Sequence, residues 1–281
     1  MRLLACFLTL SVGGAFGGTI YNNLTPNNAI GMATRTDTAA FEIETADDFF
    51  LSGATNITSA SLVGLIVPGA AGTGGSISEV VAEMYRIFPL DSNTTRTPNV
   101  PTRANSPSDV AFDSRSSSAG GLTFSSSVLN PTFTVLNSIQ PGGIHASPNQ
   151  HTLGNGPLTG QEVQINLTFA TPFSLSDSHL FFVPQVTLTN GAQFYWLSGS
   201  RPISGPGTTP FPAGVTDLQA WTRDQNLDPD WLRVGADIVG GTAFNAAFSL
   251  DGSAVPEPTP FFIILGGMTL IAAARGLRRA R

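Results

Sequence analysis

The sequence is short of charge. It contains no lysine and six glutamates, and charged residues make up 11% of the chain, against about 25% in an average soluble domain. Solvent-facing helices depend on Glu and Lys, so a helical bundle or coiled coil is not expected. Nucleic-acid binding needs clustered Lys and Arg, whereas this chain is acidic, with a pI of about 4.9. We therefore expect no nucleic acid among its partners.

Cysteine is also scarce, with Cys6 alone among 281 residues. It lies in a segment typical of a secretory signal peptide, in which Arg2 precedes an apolar run at 3–12 and a stretch of small residues. The small-x-small cleavage pattern ends at Gly17, which predicts a signal peptide over 1–17. The exported body then carries neither a disulfide nor a cysteine metal site.

The C-terminus is the most distinctive part of the chain. Val255-Pro256-Glu257-Pro258 precedes a largely apolar run at 261–274. Four basic residues follow that run: Arg275, Arg278, Arg279 and Arg281. Residues 261–277 would span about 25 Å as a helix, with the first arginine snorkelling to the headgroups. Because basic residues stay on the cytoplasmic side, we predict one transmembrane helix with the body outside.

This arrangement resembles the PEP-CTERM sorting signal of exported bacterial proteins, and the resemblance covers 255–281. It implies cleavage near Pro256-Glu257-Pro258 by an exosortase, a membrane-embedded transpeptidase-like protease that releases the body or attaches it at the cell surface. It also implies a Gram-negative-type envelope with exopolysaccharide. The alternative interpretation is a plain C-terminal anchor that is never processed.

The body, 18–254, has the pattern of an all-β domain. Residues 162–169 and 244–251 alternate between apolar and polar side chains, as half-buried strands do, and long polar loops such as 91–121 separate the strand-like segments. Segment 77–88 fits either an amphipathic helix with a capping box or a strand, and the β context favours the strand. We predict an antiparallel two-sheet β-sandwich, jelly-roll-like with long loops, as a single extracytoplasmic domain.

One predicted hairpin supplies candidate ligand-binding residues. Asn190-Gly191 lies between the strand-like segments 181–189 and 192–197, and it is the preferred two-residue hairpin turn because both positions need positive φ. Pairing across this turn places Phe194 and Trp196 on the face opposite the predicted core. Exposed rings offer flat surfaces on which sugars stack, so both are candidate glycan-binding residues. Burial in the core is the alternative.

Oxygen-bearing side chains recur at alternate positions of one polar segment. They are Asp224, Asn226, Asp228 and Asp230. Such ligands suit a hard cation such as Ca²⁺, and the first three match the opening of an EF-hand loop. Pro229 and Gly235 stand where that loop needs glycine and glutamate, so an EF-hand is excluded. A calcium site of another type and a turn capped by aspartate both remain open.

Catalytic signals are weak. The three histidines lack a metal-ligand spacing such as H-E-x-x-H, and no G-x-S-x-G elbow occurs. We therefore expect that the protein is not an enzyme and that it has no cofactor, with Ca²⁺ at 224–230 left open. The sequence favours an exported envelope or exopolysaccharide-matrix protein. Its expected partners are an exosortase-like membrane protease, the membrane before processing, and an exopolysaccharide or cell-surface glycan. A secreted polysaccharide hydrolase and a purely structural surface-layer or matrix protein are the alternatives.

Overall fold

The chain folds almost entirely as β-strands. The computed structural model describes residues 17–37, 41–70, 72, 74–96, 105–140, 144, 151–176, 179–200, 218–241 and 243–255. In chain order the strands are β1 (Gly18–Asn22), β2 (Pro26–Ala33), β3 (Ile43–Phe50), β4 (Thr55–Val67), β5 (Ile77–Arg86), β6 (Asp113–Ser116), β7 (Leu122–Val135), β8 (Asn137–Ile139), β9 (Leu158–Leu175), β10 (His179–Leu188), β11 (Gln193–Gly199), β12 (Trp221–Asp224), β13 (Leu232–Arg233), β14 (Asn245–Ala246) and β15 (Phe248–Ala254). One π-helical turn, Val234–Val239, follows β13. The prediction of an all-β chain is confirmed for the described residues.

The larger of two sheets has nine strands arranged around β4. One edge of β4 pairs with β9, and its other edge pairs first with β15 and then with β11. β7 lies outside β9, β1 outside β15, and β2 outside β11. The pairing of β2 with β8 is parallel and the others in this sheet are antiparallel. The first and last described strands are therefore neighbours.

The smaller sheet has six strands in the order β13-β12-β3-β10-β5-β6. Its central strand, β10, is buried along its whole length. Alternate residues of a strand point to opposite faces, and both faces of β10 carry buried apolar side chains. Phe182 belongs to the main core, whereas Phe181 and Val183 belong to a second apolar cluster on the outer face. Both faces of this sheet are therefore covered.

The main core contains side chains from both sheets. The Phe182 ring of β10 lies with its centroid 5.5 Å from that of Phe248 on β15 and 6.0 Å from that of Trp196 on β11. The second cluster lies on the outer face of the smaller sheet. Its buried members are Ala46, Tyr85, Phe181, Val183, Trp221 and Trp231.

The predicted hairpin across Asn190-Gly191 is wrong, although its turn is right. Both residues have positive φ, 60° and 66°. However, β10 pairs with β3 and β5 in the smaller sheet, and β11 pairs with β2 and β4 in the larger one. A two-stranded hairpin can bury only one face, whereas these two strands are apolar on both. Each is therefore more stable as an interior strand of its own sheet.

Segment 77–88, left open between helix and strand, forms β5 over Ile77–Arg86. Val80, Ala82 and Met84 are fully buried and alternate with less buried residues. Period-two burial sends the intervening side chains to the outer face of the smaller sheet. This alternation places Glu83 and Tyr85 on that face.

Candidate functional site

A buried charged network lies on the outer face of the smaller sheet. Its centre is an ion pair between Arg223 on β12 and Glu44 on β3, and each residue is only 4% exposed. The two residues are direct cross-strand partners. Tyr85 Oη donates a hydrogen bond to Glu44 Oε1 at 2.5 Å, and Arg223 Nη2 donates to the same hydroxyl oxygen at 3.1 Å. The three side chains therefore form a closed triangle.

Glu83 extends this triangle toward solvent. It lies two residues before Tyr85 on β5, and its Oε2 is 3.3 Å from Tyr85 Oη. Burial, and then the negative charges of Glu44 and Glu42, raises the pKa of the Glu83 carboxyl to about 8. The carboxyl is therefore mostly protonated at neutral pH. The Tyr85 hydroxyl lies within hydrogen-bond distance of both carboxyl groups, and its hydrogen bond to Glu83 partly offsets the rise in the Glu83 pKa.

Two loops cover the network, and Arg223 donates hydrogen bonds to both of them. Its Nη1 donates to the carbonyl oxygens of Asp109 and Pro229 at 2.9 and 3.0 Å. The guanidinium lies 4.3 Å from the ring centroid of Trp231, whose Nε1 donates to Ser108 O at 3.0 Å. Burial acts to lower the pKa of Arg223, but Glu44 and then Tyr85 outweigh it and raise the pKa above its ordinary value. The cation therefore remains charged under its cover.

The candidate calcium segment begins with a capped turn. Asp224 Oδ1 accepts hydrogen bonds from the backbone N–H groups of Asn226 and Leu227 at 2.9 and 3.1 Å. These contacts are those expected of a turn capped by aspartate, the second interpretation of the segment. Asn226 itself is exposed.

The other two candidate calcium ligands bind arginines. Asp228 Oδ1 lies 2.9 Å from Arg223 Nη1, and the buried Asp230 carboxylate accepts two hydrogen bonds from Arg96 at 2.7 and 3.0 Å. Across the ranges that the structure describes, no three His, Cys, Asp or Glu side chains form a group suited to a metal ion. Calcium binding stays a prediction.

The aromatic pair proposed as a sugar-stacking platform lies in the core. Trp196 is 0% and Phe194 2% exposed, so the predicted exposure of both rings is wrong. The Trp196 Nε1 donates to Ala247 O at 3.0 Å. The physical reason is that β11 is an interior strand, flanked by β2 and β4, with the smaller sheet packed against its inner face. A ring without an accessible face cannot stack on a sugar.

A groove of about 330 Å³ opens where β4, β7 and β9 meet Pro68, Gly74 and Gly75. Its polar lining comes from Thr132, Thr159 and Gln161, and its apolar lining includes Pro68 and Pro131. None of its lining residues is charged. Hydroxyl and amide groups beside apolar surface suit a neutral, hydroxyl-rich ligand. The groove lies on the opposite side of the larger sheet from β1 and β15 in strand order.

Sequence reasoning missed the charged network and the groove. The strand alternation of 77–86 did carry a signal for Glu83 and Tyr85, because residues two apart share a face. No local signal connects them to Glu44 or Arg223, which lie 41 and 138 residues from Tyr85. The groove joins three separate segments and equally has no local pattern.

The sorting motif lies mostly outside the described residues. Val255 is described and is 41% exposed, whereas Pro256, Glu257 and Pro258 and the arginines at 275, 278, 279 and 281 are not among the described residues, nor is the signal segment 1–16. The apolar run at 261–274 also lies outside them. Within the described ranges, no helix has both the length and the apolar character that a membrane crossing requires.

No protein-family model, curated protein or solved structure matches this chain.

Proposed function

We propose that this chain is an exported, non-enzymatic envelope or exopolysaccharide-matrix protein. Its body is a two-sheet antiparallel sandwich of jelly-roll type, sorted by an exosortase-like membrane protease. The observation that carries the proposal is the order of Val255-Pro256-Glu257-Pro258, the apolar run and the arginine cluster. Before processing, the apolar run anchors the precursor in the membrane. Afterwards the body resides at the cell surface or outside the cell.

The ends of the folded body support this assignment. β15 ends at Ala254, and the next backbone N–H, that of Val255, donates to Ala54 O at 2.8 Å. β1 begins at Gly18, directly after the predicted signal peptide, and pairs with β15. Cleavage after Gly17 and near Pro256 would therefore leave the described strands of both sheets intact.

Mass spectrometry of the mature chain tests the sorting step. The full chain is expressed in a bacterium that encodes an exosortase, beside Glu257→Ala in the motif and Asp251→Asn as a matched control on β15. We expect the wild type and the control to begin at Gly18 and end near Pro256, with the Glu257→Ala precursor accumulating in the membrane. An unprocessed C-terminus on wild-type protein in the envelope would indicate a plain anchor. Recovery of the intact chain from the cytosol would refute export.

For binding, we propose a neutral glycan as the ligand of the uncharged groove. Residues 18–254 carry 8 arginines and 18 carboxylates, a net charge of −10. Such a body repels anionic polymers unless cations bridge them. The groove offers hydroxyl and amide groups with no charge to desolvate. Neutral polysaccharides are therefore favoured over acidic ones.

A glycan array with and without EDTA tests this ligand class. The Gln161→Ala variant removes an amide from the groove, and Gln164→Ala, three residues along β9, is the matched control. We expect neutral glycans to bind the wild type and the control more tightly than Gln161→Ala, and EDTA to have no effect at this groove. If the wild type bound none of the polysaccharides on the array, the glycan proposal would be refuted. A response lost in EDTA would instead favour the calcium hypothesis at 224–230.

A polysaccharide hydrolase is the second candidate, and the Glu83–Glu44 pair favours it. Glycoside hydrolysis uses one carboxyl that stays protonated and a second that is ionised. The Glu83 carboxyl, with its raised pKa of about 8, matches the first role. Glu44, however, is 4% exposed and bound by Arg223, which leaves it little access to water or substrate. Release of reducing sugar by wild type and not by Glu83→Gln would establish this candidate over the non-enzymatic one.

A further inference from the structure

The described sheet edges differ greatly in length. The strands with a single partner are β1, β7, β8 and β14 in the larger sheet and β13 and β6 in the smaller sheet. Five of these strands have five residues or fewer, whereas β7 has fourteen. Short edge strands limit pairing with other chains, and a long exposed one invites it. β7 is therefore the edge at which another strand can add.

The two hydrogen-bonding edges of β7 have different environments. Along one side it pairs with β9, and along the other no strand of the described ranges pairs with it. Its register with β9 is regular from Leu122 to Val128 and then shifts on either side of Asn130. The regular segment is about 24 Å long. Half of its backbone N–H and C=O groups point away from β9, as in any antiparallel edge strand.

The side chains of β7 are unusually exposed for a strand. Val128 is 54% and Leu129 49% exposed, and Ser125, Ser126 and Ser127 are also exposed. Val128 is the cross-strand partner of Val163, which is 2% exposed. β7 therefore continues the core-facing side of the larger sheet beyond the area that the smaller sheet covers.

The uncharged sequence of β7 allows this edge to pair with its own copy without burying a charge. No Asp, Glu, Lys or Arg occurs between Arg115 and Glu162, and this uncharged stretch contains all of β7. A cationic or anionic partner would find no charged side chain there with which to form an ion pair. The rest of the body has a net charge of −10, so two copies repel each other over most orientations. β7 is a long edge that contributes no charge to that repulsion.

We propose that two copies of this chain pair antiparallel along β7, around a two-fold axis at Ser125. This register pairs the regular segment with its own copy over its full length. Leu122 then lies opposite Val128, Thr123 opposite Ser127, and Ser125 opposite Ser125. An isologous contact of this type closes at a dimer. It joins two nine-stranded sheets into one continuous sheet and covers Val128.

Sedimentation of the full chain in detergent over a concentration series tests the dimer. Ser125→Asp places two carboxylates directly opposite each other, and Thr58→Asp is the matched control because Thr58 is exposed on the central strand β4. We expect the dimer dissociation constant to rise about tenfold in Ser125→Asp and to stay unchanged in Thr58→Asp. Association through the C-terminal apolar run would be the same in all three chains.

Raising the salt concentration gives an independent readout. Added salt from about 0.1 to 1 M shortens the Debye length from about 10 to 3 Å. Because the two bodies carry like charge and the β7 contact carries none, the dimer should tighten as salt rises. A contact held by charge pairs would weaken instead.

Cysteine cross-linking tests the register. In a Cys6→Ser background, Ser125→Cys should form a covalent dimer on mild oxidation, and Thr58→Cys should not. A mixture of Thr123→Cys and Ser127→Cys chains should cross-link more than either chain alone. A monomeric wild type at all concentrations, or equal association of Ser125→Asp and Thr58→Asp, overturns the proposal. Neither outcome depends on glycan binding or on processing of the C-terminus.

Discussion

Replacement of Glu83 by glutamine should remove part of the pH dependence of the free energy of unfolding. The variant keeps the shape of the side chain and a donor for Tyr85 Oη, but it removes the ionisable group. The folded chain holds the Glu83 proton with a pKa of about 8, because of burial and then the charges of Glu44 and Glu42. The unfolded chain holds it with an ordinary pKa near 4.5.

The sign and size follow from this difference in proton affinity. A carboxyl whose pKa is raised by folding contributes stability fully below the unfolded pKa, and the contribution is lost as pH rises through the folded one. Between pH 4.5 and 8 the contribution of Glu83 to the free energy of unfolding falls by up to about 5 kcal/mol. The glutamine variant has no such slope. It should therefore be more stable than the wild type at pH 8 and above.

Urea unfolding of the full chain between pH 4 and 9 measures the effect as a difference between variant and wild type. Subtracting the two free energies of unfolding at each pH cancels the contributions of the other titratable groups. Glu79→Gln is the matched control, because Glu79 lies on the same strand and face and its loss leaves Glu83 with its neighbours. The control should keep the slope that Glu83 contributes. Parallel profiles for wild type and Glu83→Gln would refute the reasoning.

Four further variants test the packing, each by its free energy of unfolding in urea. Trp196→Ala should cost about 3–5 kcal/mol because it empties a fully buried position, whereas an exposed ring would cost little. Gly64→Ala should cost about 1–3 kcal/mol or more, since a Cβ at Gly64 would lie 2.2 Å from the Phe194 ring. Arg223→Met should cost about 3–5 kcal/mol by leaving Glu44 buried without its cation, and the double variant with Glu44→Gln should cost less than Arg223→Met alone.

Strand identity could be predicted from the sequence where burial is one-sided. The alternation at 162–169 lies within β9, and that at 244–251 spans β14 and most of β15. Alternation arises from the two faces of a single strand, so it is visible locally. The same logic favoured the strand over the helix at 77–88.

Partnership and two-sided burial could not be predicted in this way. β10 and β11 are adjacent in the chain and joined by a good hairpin turn, yet they belong to different sheets. Their choice depends on β3, β5, β2 and β4, which are distant in sequence. The burial of Trp196 could not be predicted for the same reason, because it depends on strands that are distant in sequence. For the same reason the pKa of Glu83 could not be predicted, because it is set by burial and by the charges of Glu44 and Glu42, which are distant in sequence.

The position of β15 determines when the larger sheet can be completed. β15 is the last described strand in the chain, yet it lies between β1 and β4. Thr19 and Asp251, which are joined by a hydrogen bond, are 232 residues apart. Pairings of such long sequence separation form slowly, and β1 has no described partner until β15 has emerged. A chain leaving the ribosome therefore cannot finish this sheet until residues 248–254 have emerged, so the pairing of β1 is delayed until nearly all of the described body has been synthesised.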